Sequence, residues 1–177
     1  MAVRPVLKMG EPLLRQVAAP VTQFGTAELA ALVRDMDDTM RALNGAGIAA
    51  PQIGVSLRVV IFEVQSNPRY PQVSPVPYTV LINPELLPVG DEREEGWEGC
   101  LSVPGLRGLV PRFRRLCYRG FDAAGTPIDR TVEGFHARVV QHEVDHLDGI
   151  LYPERIQDLR NFGFEDVLAQ QMLAMPE

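Results

Sequence analysis

The feature that most constrains this chain is a pair of histidines four residues apart. His142 and His146 are the first and last residues of the run His-Glu-Val-Asp-His. The run lies in a stretch whose spacing of apolar residues predicts a helix over 134–148. Residues four apart share one helical face, so both imidazoles can reach one metal ion. Glu143 lies beside them, where it can exchange a proton with a water molecule at the metal. The motif predicts a catalytic metal site, and two unrelated surface histidines are the alternative.

Two histidines do not complete such a site, because a catalytic metal usually keeps three protein ligands and one open position. A metalloprotease pattern with a third histidine fits poorly, since Tyr152 stands at the final position. Glu165 fits a second pattern, in which a glutamate follows on a later helix. Cys100 is the third candidate, because a thiolate is a strong ligand for Zn(II) or Fe(II). Gly99 before it lets the backbone approach closely, although a small buried cysteine is the simpler alternative.

A segment of small residues follows the first long predicted helix. It reads Gly45-Ala46-Gly47-Ile48-Ala49-Ala50-Pro51-Gln52. An extended peptide can lie along such a segment through main-chain hydrogen bonds. Gln52 offers a neutral amide donor, which suits an oxyanion that already contacts a metal. An ordinary loop that ends the helix is the alternative. A phosphate loop is excluded, because its lysine and hydroxyl residue are missing.

Three segments together resemble, in order, the signature motifs of the peptide deformylase family. They are residues 45–52, Glu98-Gly99-Cys100-Leu101-Ser102 and His142-Glu143-Val144-Asp145-His146. The resemblance implies a hydrolase of linear amides that removes the N-formyl group from the formylmethionine of nascent polypeptides and releases formate. It implies one Fe(II) per chain, for which Zn(II), Ni(II) or Co(II) can substitute. It also implies an α+β fold in which antiparallel sheets surround the metal-binding helix.

The resemblance assigns roles to individual positions. The expected metal ligands are Cys100, His142 and His146. Glu143 is expected to act as the acid and base, and Gln52 and the backbone N–H of Leu101 are expected to stabilise the oxyanion. The residues expected to contact the substrate are Ala46, Gly47, Ile48, Gly99, Arg107, Phe135 and Val139. Arg138 falls in the same predicted pocket, where its charge must reach water while its stem packs.

The rest of the chain predicts a mixed fold. Thr26 is a candidate N-cap, and Asn83-Pro84 is expected to end a strand. The predicted elements are helices over 27–44, 134–148 and 164–174, strands over 58–64 and 78–82, loops over 66–77 and 90–96, and a hairpin of strands 114–121 and 126–132. Strands and helices do not alternate regularly, which favours an α+β class. We expect one domain over 1–177, with a C-terminal helix or tail over 162–177.

Composition restricts the environment and the partners. No apolar run approaches the roughly 20 residues that cross a bilayer, and the N-terminus lacks a signal-peptide pattern. We therefore expect a cytoplasmic protein with reduced cysteines. A net charge of −6 argues against a protein that binds phosphate backbones. The stretch 164–174 has no Lys or Arg, so docking by a basic C-terminal helix is in doubt. The expected partners are formylmethionyl nascent peptides, with at most transient ribosome contact, no specific nucleic acid and no membrane.

Two other functions stay open at this point. A metallopeptidase would use Glu165 in place of Cys100 as the third ligand. A binding module would hold formylated or free N-termini without turning them over. Glu143 and Gln52 argue against the binding module, because a protein that only binds needs neither residue.

Overall fold

Two antiparallel sheets pack around one central helix in the computed structural model, which describes residues 2–65 and 75–174. Within these ranges the α-helices are α1 (Ala27–Ala42), α2 (Gly134–Leu147) and α3 (Glu165–Ala174). The strands are β1 (Gly47–Ala49), β2 (Val59–Val64), β3 (Val76–Pro88), β4 (Arg93–Cys100), β5 (Val103–Phe113), β6 (Arg115–Phe121), β7 (Pro127–Glu133) and β8 (Phe162–Phe164). The predicted α+β class is confirmed. The predicted loop over 66–77 falls mostly on 66–74, and the end of the expected tail on 175–177, both outside the described residues.

The strand order places two edge strands beside one cavity. The larger sheet has the order β1-β2-β3-β6-β7, and the smaller has the order β4-β5-β8. β1 therefore ends one sheet and β4 ends the other. Gly47 of β1 and Gly99 of β4 line the same cavity, which opens between the two sheets over α2.

Helix α2 forms the centre of the molecule. All residues from Ala137 to Leu147 are buried, because α2 contacts strands of both sheets. A helix that is buried on every side must find partners for its polar side chains within the protein. Gly149, with a φ of 71°, adopts the left-handed conformation just beyond the end of α2, as its position predicts.

Local signals account for the elements that the sequence predicts. The Thr26 hydroxyl caps α1 by accepting a hydrogen bond of 3.1 Å from the N–H of Leu29. The predicted hairpin is confirmed as β6 and β7. The Asp122 carboxylate stabilises its turn by accepting 2.8 Å hydrogen bonds from the N–H groups of Ala124 and Thr126. The last helix also forms, beginning at Glu165.

The predicted end of a strand at Asn83-Pro84 is wrong. β3 continues to Pro88, with a register shift between Ile82 and Glu85 that absorbs both residues in a bulge. Asn83 has a φ of 51°, and its side chain bonds the N–H and the C=O of Val21 at 2.9 Å each. The bulge therefore redirects the strand without ending it.

The loop predicted over 90–96 is also partly wrong, because β4 begins at Arg93. Charged residues of β4 pair with residues of β5, and Glu94 lies opposite Arg112. Among the described helices none is long and apolar enough to cross a membrane.

Candidate metal centre

Three donor side chains predicted from the sequence converge in the cavity between the sheets. Cys100 ends β4, while His142 and His146 lie on consecutive turns of α2. One ligand atom of each lies within 4.8 Å of the other two, and Cys100 Sγ is 3.3 Å from His146 Nε2. Within residues 2–65 and 75–174 this is the one cluster of three or more such donors. Glu165, the alternative ligand, instead forms an ion pair of 2.9 Å with Arg107.

Glu98 fixes the orientation of His142. Its Oε2 lies 2.8 Å from His142 Nδ1. Since a carboxylate accepts, Nδ1 carries the hydrogen and Nε2 keeps its lone pair for a metal. Arg112 binds the same carboxylate through two hydrogen bonds of 2.9 Å. Arg138 adds a third arginine contact of 3.0 Å. Sequence reasoning assigned Glu98 no role, although its position in the second motif could have indicated one.

The charges around Glu98 extend away from the three candidate metal ligands. Burial by itself would raise the pKa of the Glu98 carboxyl, but Arg112 and His142 lower it well below its usual range. Arg112 also donates to Asp145 at 2.5 Å, and Asp145 accepts from Arg155 at 2.7 Å. Alternating charges therefore connect the half-exposed Arg155 with His142, a candidate metal ligand.

The surroundings of the Cys100 thiol favour its ionised form. Burial would raise its pKa, but the imidazoles of His146 and His142 lower it well below its ordinary value. The Gln52 amide and the Ser102 N–H each approach Sγ to 3.4 Å. The thiolate is the form that binds metals. A half-buried thiolate beside two imidazoles therefore fits a divalent ion of the Zn(II) or Fe(II) type.

Glu143 lies against the first glycine of β1. A Cβ built on Gly47 would lie 2.5 Å from Glu143 Oε1, so only glycine leaves room for the carboxylate. Burial raises the pKa of Glu143 to about 7, although the imidazoles of His142 and His146 oppose that rise. Among the described residues, Oε2 has no hydrogen-bond partner although it is buried. A carboxyl group of this kind suits proton transfer near neutral pH.

Gln52 is held with its amide donor directed into the site. Its Oε1 accepts a hydrogen bond of 2.8 Å from the N–H of Ala49, which fixes the orientation of the amide because a backbone N–H can only donate. Nε2 then lies 3.1 Å from Ser102 Oγ and 3.4 Å from Cys100 Sγ. Leu101 follows Cys100 in the turn between β4 and β5 and lines the cavity.

The substrate residues expected from the sequence divide into two groups. Those that line the cavity are Ala46, Gly47, Gly99, Phe135 and Val139. The side chain of Ile48 is instead fully buried in the core beside α1, so only its main chain is available to a peptide. Arg107 is not a lining residue, since it packs behind Gly99 and pairs with Glu165. Gly45, the first residue of the small-residue segment, also lines the cavity, as do Asn44 and Trp97, which were not predicted.

Arg138 lines the cavity as expected, but its charge does not reach open water. Its guanidinium donates to main-chain oxygens of Glu94 and Val110 at 2.6 and 2.7 Å. It also lies against Gly96, where an added Cβ would come within 2.6 Å of Arg138 Cζ. Arg138 therefore closes one wall of the cavity by joining α2 to β4 and β5.

Comparison with known proteins identifies the family. A profile described as Polypeptide deformylase matches residues 3–162. The chain belongs to the peptide deformylase family. Its activity is therefore hydrolytic removal of the N-formyl group from nascent peptides, as the three motifs imply.

Individual deformylases agree over almost the whole chain. Peptide deformylase 1 of Nitrosomonas europaea is 69% identical over 166 residues, which cover 94% of each chain. Peptide deformylase 2 of Ralstonia nicotianae is 61% identical over 172 residues, or 97% of each chain. A crystal structure of the class I type b peptide deformylase from Acinetobacter baumannii with Met-Ala-Ser bound is 44% identical. It superposes with a TM-score of 0.85 over 88% of this chain and 99% of that one.

Proposed function

We propose that this deformylase holds one divalent metal ion with Cys100, His142 and His146, with Fe(II) as the native ion and Zn(II), Ni(II) or Co(II) as substitutes. The observation that carries the proposal is the convergence of these three donors within 4.8 Å beside Glu143 and Gln52. One soft thiolate and two imidazoles match the ligand preferences of these ions. We further propose that the whole chain acts as a single domain, since α2 contacts strands of both sheets.

A divalent ion at this site supplies Lewis acidity and lowers the pKa of water toward neutrality. Glu143 takes a proton from the attacking water, because its pKa of about 7 allows both protonation states near neutral pH. The oxygen adds to the formyl carbon, and negative charge develops on the formyl oxygen. Gln52 Nε2 and the Leu101 N–H donate to that oxygen. Glu143 returns the proton to the amine nitrogen as the C–N bond breaks, which releases formate and a free N-terminus.

The peptide lies between the two edge strands. β1 and β4 border the same cavity, and each ends its sheet, so an extended chain can add to either edge through main-chain hydrogen bonds. Gly47 and Ile48 supply the main chain of β1, while Gly99 supplies that of β4. Phe135 and Val139 supply apolar surface for the methionine side chain. The Acinetobacter structure with Met-Ala-Ser supports an N-terminal methionine in this cavity.

The substrates we propose are formylmethionyl nascent chains in the cytoplasm. Helix α3 begins with Glu165 and Asp166, and its sequence has no Lys or Arg. A helix of this composition lacks the charge that attracts ribosomal RNA. We therefore expect transient contact with the ribosome at most, and nascent chains that arrive by diffusion.

Formate release from formyl-Met-Ala-Ser tests the proposal. The protein is purified anaerobically, and bound metal is measured in the sample that is assayed. Gln52→Leu should retain metal and lower kcat by two or more powers of ten, since an oxyanion donor is worth about 3–4 kcal/mol. Glu143→Ala should retain metal and be nearly inactive. Near-normal turnover in either variant would remove that residue from its role.

Two further substitutions separate this site from its alternatives. Cys100→Ser should lose metal while Glu165→Gln keeps it, because Glu165 is engaged by Arg107. The opposite result would favour the metallopeptidase arrangement. Formate release by the wild-type protein excludes a module that only binds N-termini. Failure to release formate at full metal occupancy would contradict the proposed chemistry.

A further inference from the structure

The N-terminal segment connects the two loops that carry the oxyanion donors. The N–H of Leu7 donates to the carbonyl of Gln52 at 2.8 Å. Two residues later, the N–H of Met9 donates to the carbonyl of Ser102, also at 2.8 Å. Gln52 belongs to a short 3₁₀ helix that follows β1, whereas Ser102 lies in the turn between β4 and β5. The segment therefore links a loop of one sheet to a loop of the other.

The same two loops also meet directly inside the site. Gln52 Nε2 lies 3.1 Å from Ser102 Oγ, a side-chain contact separate from the two carbonyls that the N-terminal segment holds. Gln52 and Ser102 are thus each fixed twice, once through the side chain and once through the main chain. Leu101 immediately precedes Ser102, so the direction of its N–H depends on how that turn is held. Both proposed oxyanion donors depend on this closed set of contacts.

The segment is attached mainly through its backbone. Lys8, Met9 and Gly10 are exposed, with 44% of Met9 accessible to solvent. A turn follows at once, in which the N–H of Glu11 donates to the carbonyl of Lys8 at 3.0 Å. Met9 and Gly10 occupy its two central positions, and the φ of 113° at Gly10 favours glycine. The turn presents the Met9 N–H to Ser102.

We propose that residues 7–9 form an N-terminal clamp that positions Gln52 and Leu101 for catalysis. The proposal rests on the proposed oxyanion roles of these two residues. Donors stabilise a transition state best when they are fixed before the reaction, and small displacements of catalytic groups are costly. The Michaelis complex depends less on these donors. Loosening the clamp should therefore lower kcat and leave KM nearly unchanged.

Met9→Pro tests the clamp, with Met9→Ala as the matched reference. Proline is favoured at the first central position of such a turn, so the turn can persist while the N–H is lost. Both substitutions remove the exposed side chain, and only proline removes the donor. Relative to Met9→Ala, Met9→Pro should lower kcat for formyl-Met-Ala-Ser about tenfold, with KM within about twofold and equal bound metal. Equal kcat in the two variants, or a decrease that follows loss of metal, would overturn the proposal.

Coupling to Gln52 separates positioning from general stability. In a Gln52→Leu background, Met9→Pro should lower kcat by clearly less than about tenfold, because one of the two positioned donors is already absent and only Leu101 remains to be displaced. An undiminished tenfold effect would contradict action through Gln52. If Gln52→Leu alone turns over normally, the oxyanion role fails. If Gln52→Leu is slow while Met9→Pro matches Met9→Ala, only the clamp fails.

Gly10→Ala provides a second perturbation if Met9→Pro does not fold. An added Cβ at Gly10 meets no atom within 4 Å, so the substitution strains only the backbone of the turn. All N–H groups are kept, and the Met9 donor shifts from its acceptor. A decrease in kcat at constant KM supports the clamp, and wild-type kcat contradicts it.

Discussion

The substitution Glu98→Gln provides a demanding test of how the candidate metal ligands are supported. Glu98 Oε1 accepts from Arg112 Nε at 2.9 Å and from Arg138 at 3.0 Å. Its Oε2 accepts from Arg112 at 2.9 Å and faces His142 Nδ1 at 2.8 Å. A glutamine keeps the shape but has one acceptor oxygen. Whichever way its amide is turned, an NH2 group faces two donors.

The expected cost follows from those contacts. Glu98→Gln forfeits two hydrogen bonds to charged or strongly polarised donors, each worth about 1.5–3 kcal/mol. It also leaves buried arginines short of one negative charge, and breaking a buried ion pair typically costs about 3–5 kcal/mol. We expect the free energy of unfolding to fall by about 3–5 kcal/mol. Because His142 loses its orienting partner, metal affinity should fall about 10- to 100-fold.

Urea unfolding of metal-loaded and metal-free protein measures the change in the free energy of unfolding. Competition with a chelator measures the change in metal affinity. Glu92→Gln is the control, because it changes the same atoms in an exposed ion pair with Arg114. An exposed pair of this kind contributes about 1 kcal/mol or less. If Glu98→Gln costs no more than Glu92→Gln, the network does not stabilise the site in the way that its geometry indicates.

Three further predictions concern the active-site glycine, the metal and pH. Gly47→Ala should displace the Glu143 carboxylate and lower kcat about 10- to 100-fold, measured by formate release; wild-type turnover would contradict the steric argument. Chelation should lower the melting temperature, and Zn(II) should restore it in the wild type but not in Cys100→Ser; equal restoration would exclude the thiolate as a ligand. Burial lowers the pKa of His136 to about 4. The unfolded chain therefore binds the His136 proton at higher pH than the folded chain does. As pH falls from 6.5 to about 4, the contribution of His136 to stability declines by about 2 kcal/mol after allowance for partial exposure, whereas this contribution is constant above 6.5. His136→Gln, compared by urea unfolding at saturating metal, should remove this decline, and an unchanged slope would assign it to other groups.

The sequence predicts those parts of the fold that local chemistry determines. Thr26 marks the start of α1, and Asp122 and Gly125 mark the turn of the hairpin, because caps and turns act over a few residues. β4 and β5 were not predicted, because no local signal in their sequence determines them. Their glycines, prolines and charges have little intrinsic strand preference, and they form strands because each pairs with the other.

In the candidate site, too, local patterns could be predicted and contacts between distant residues could not. The two candidate histidine ligands could be predicted because imidazoles four residues apart are a rare combination with defined chemistry, whereas Cys100 joined them only through the resemblance to the deformylase motifs. Glu98 was not assigned, since a lone acid in a strand gives no periodic signal and its partners lie far away in sequence. Ile48 was placed at the substrate by its motif, yet alternation along β1 turns its side chain into the core.

The open edges of β1 and β4 determine how general the enzyme can be. Beyond the first residue, a peptide that is gripped by its amide groups is recognised without regard to the identity of its side chains. In the binding mode that we propose, chains of almost any sequence can therefore use one groove, while selectivity is concentrated on the residue beside the formyl group. In the same proposed mode each departing product leaves these edges free for the next chain, so the three residues of β1 help to bind substrates of unrelated sequence.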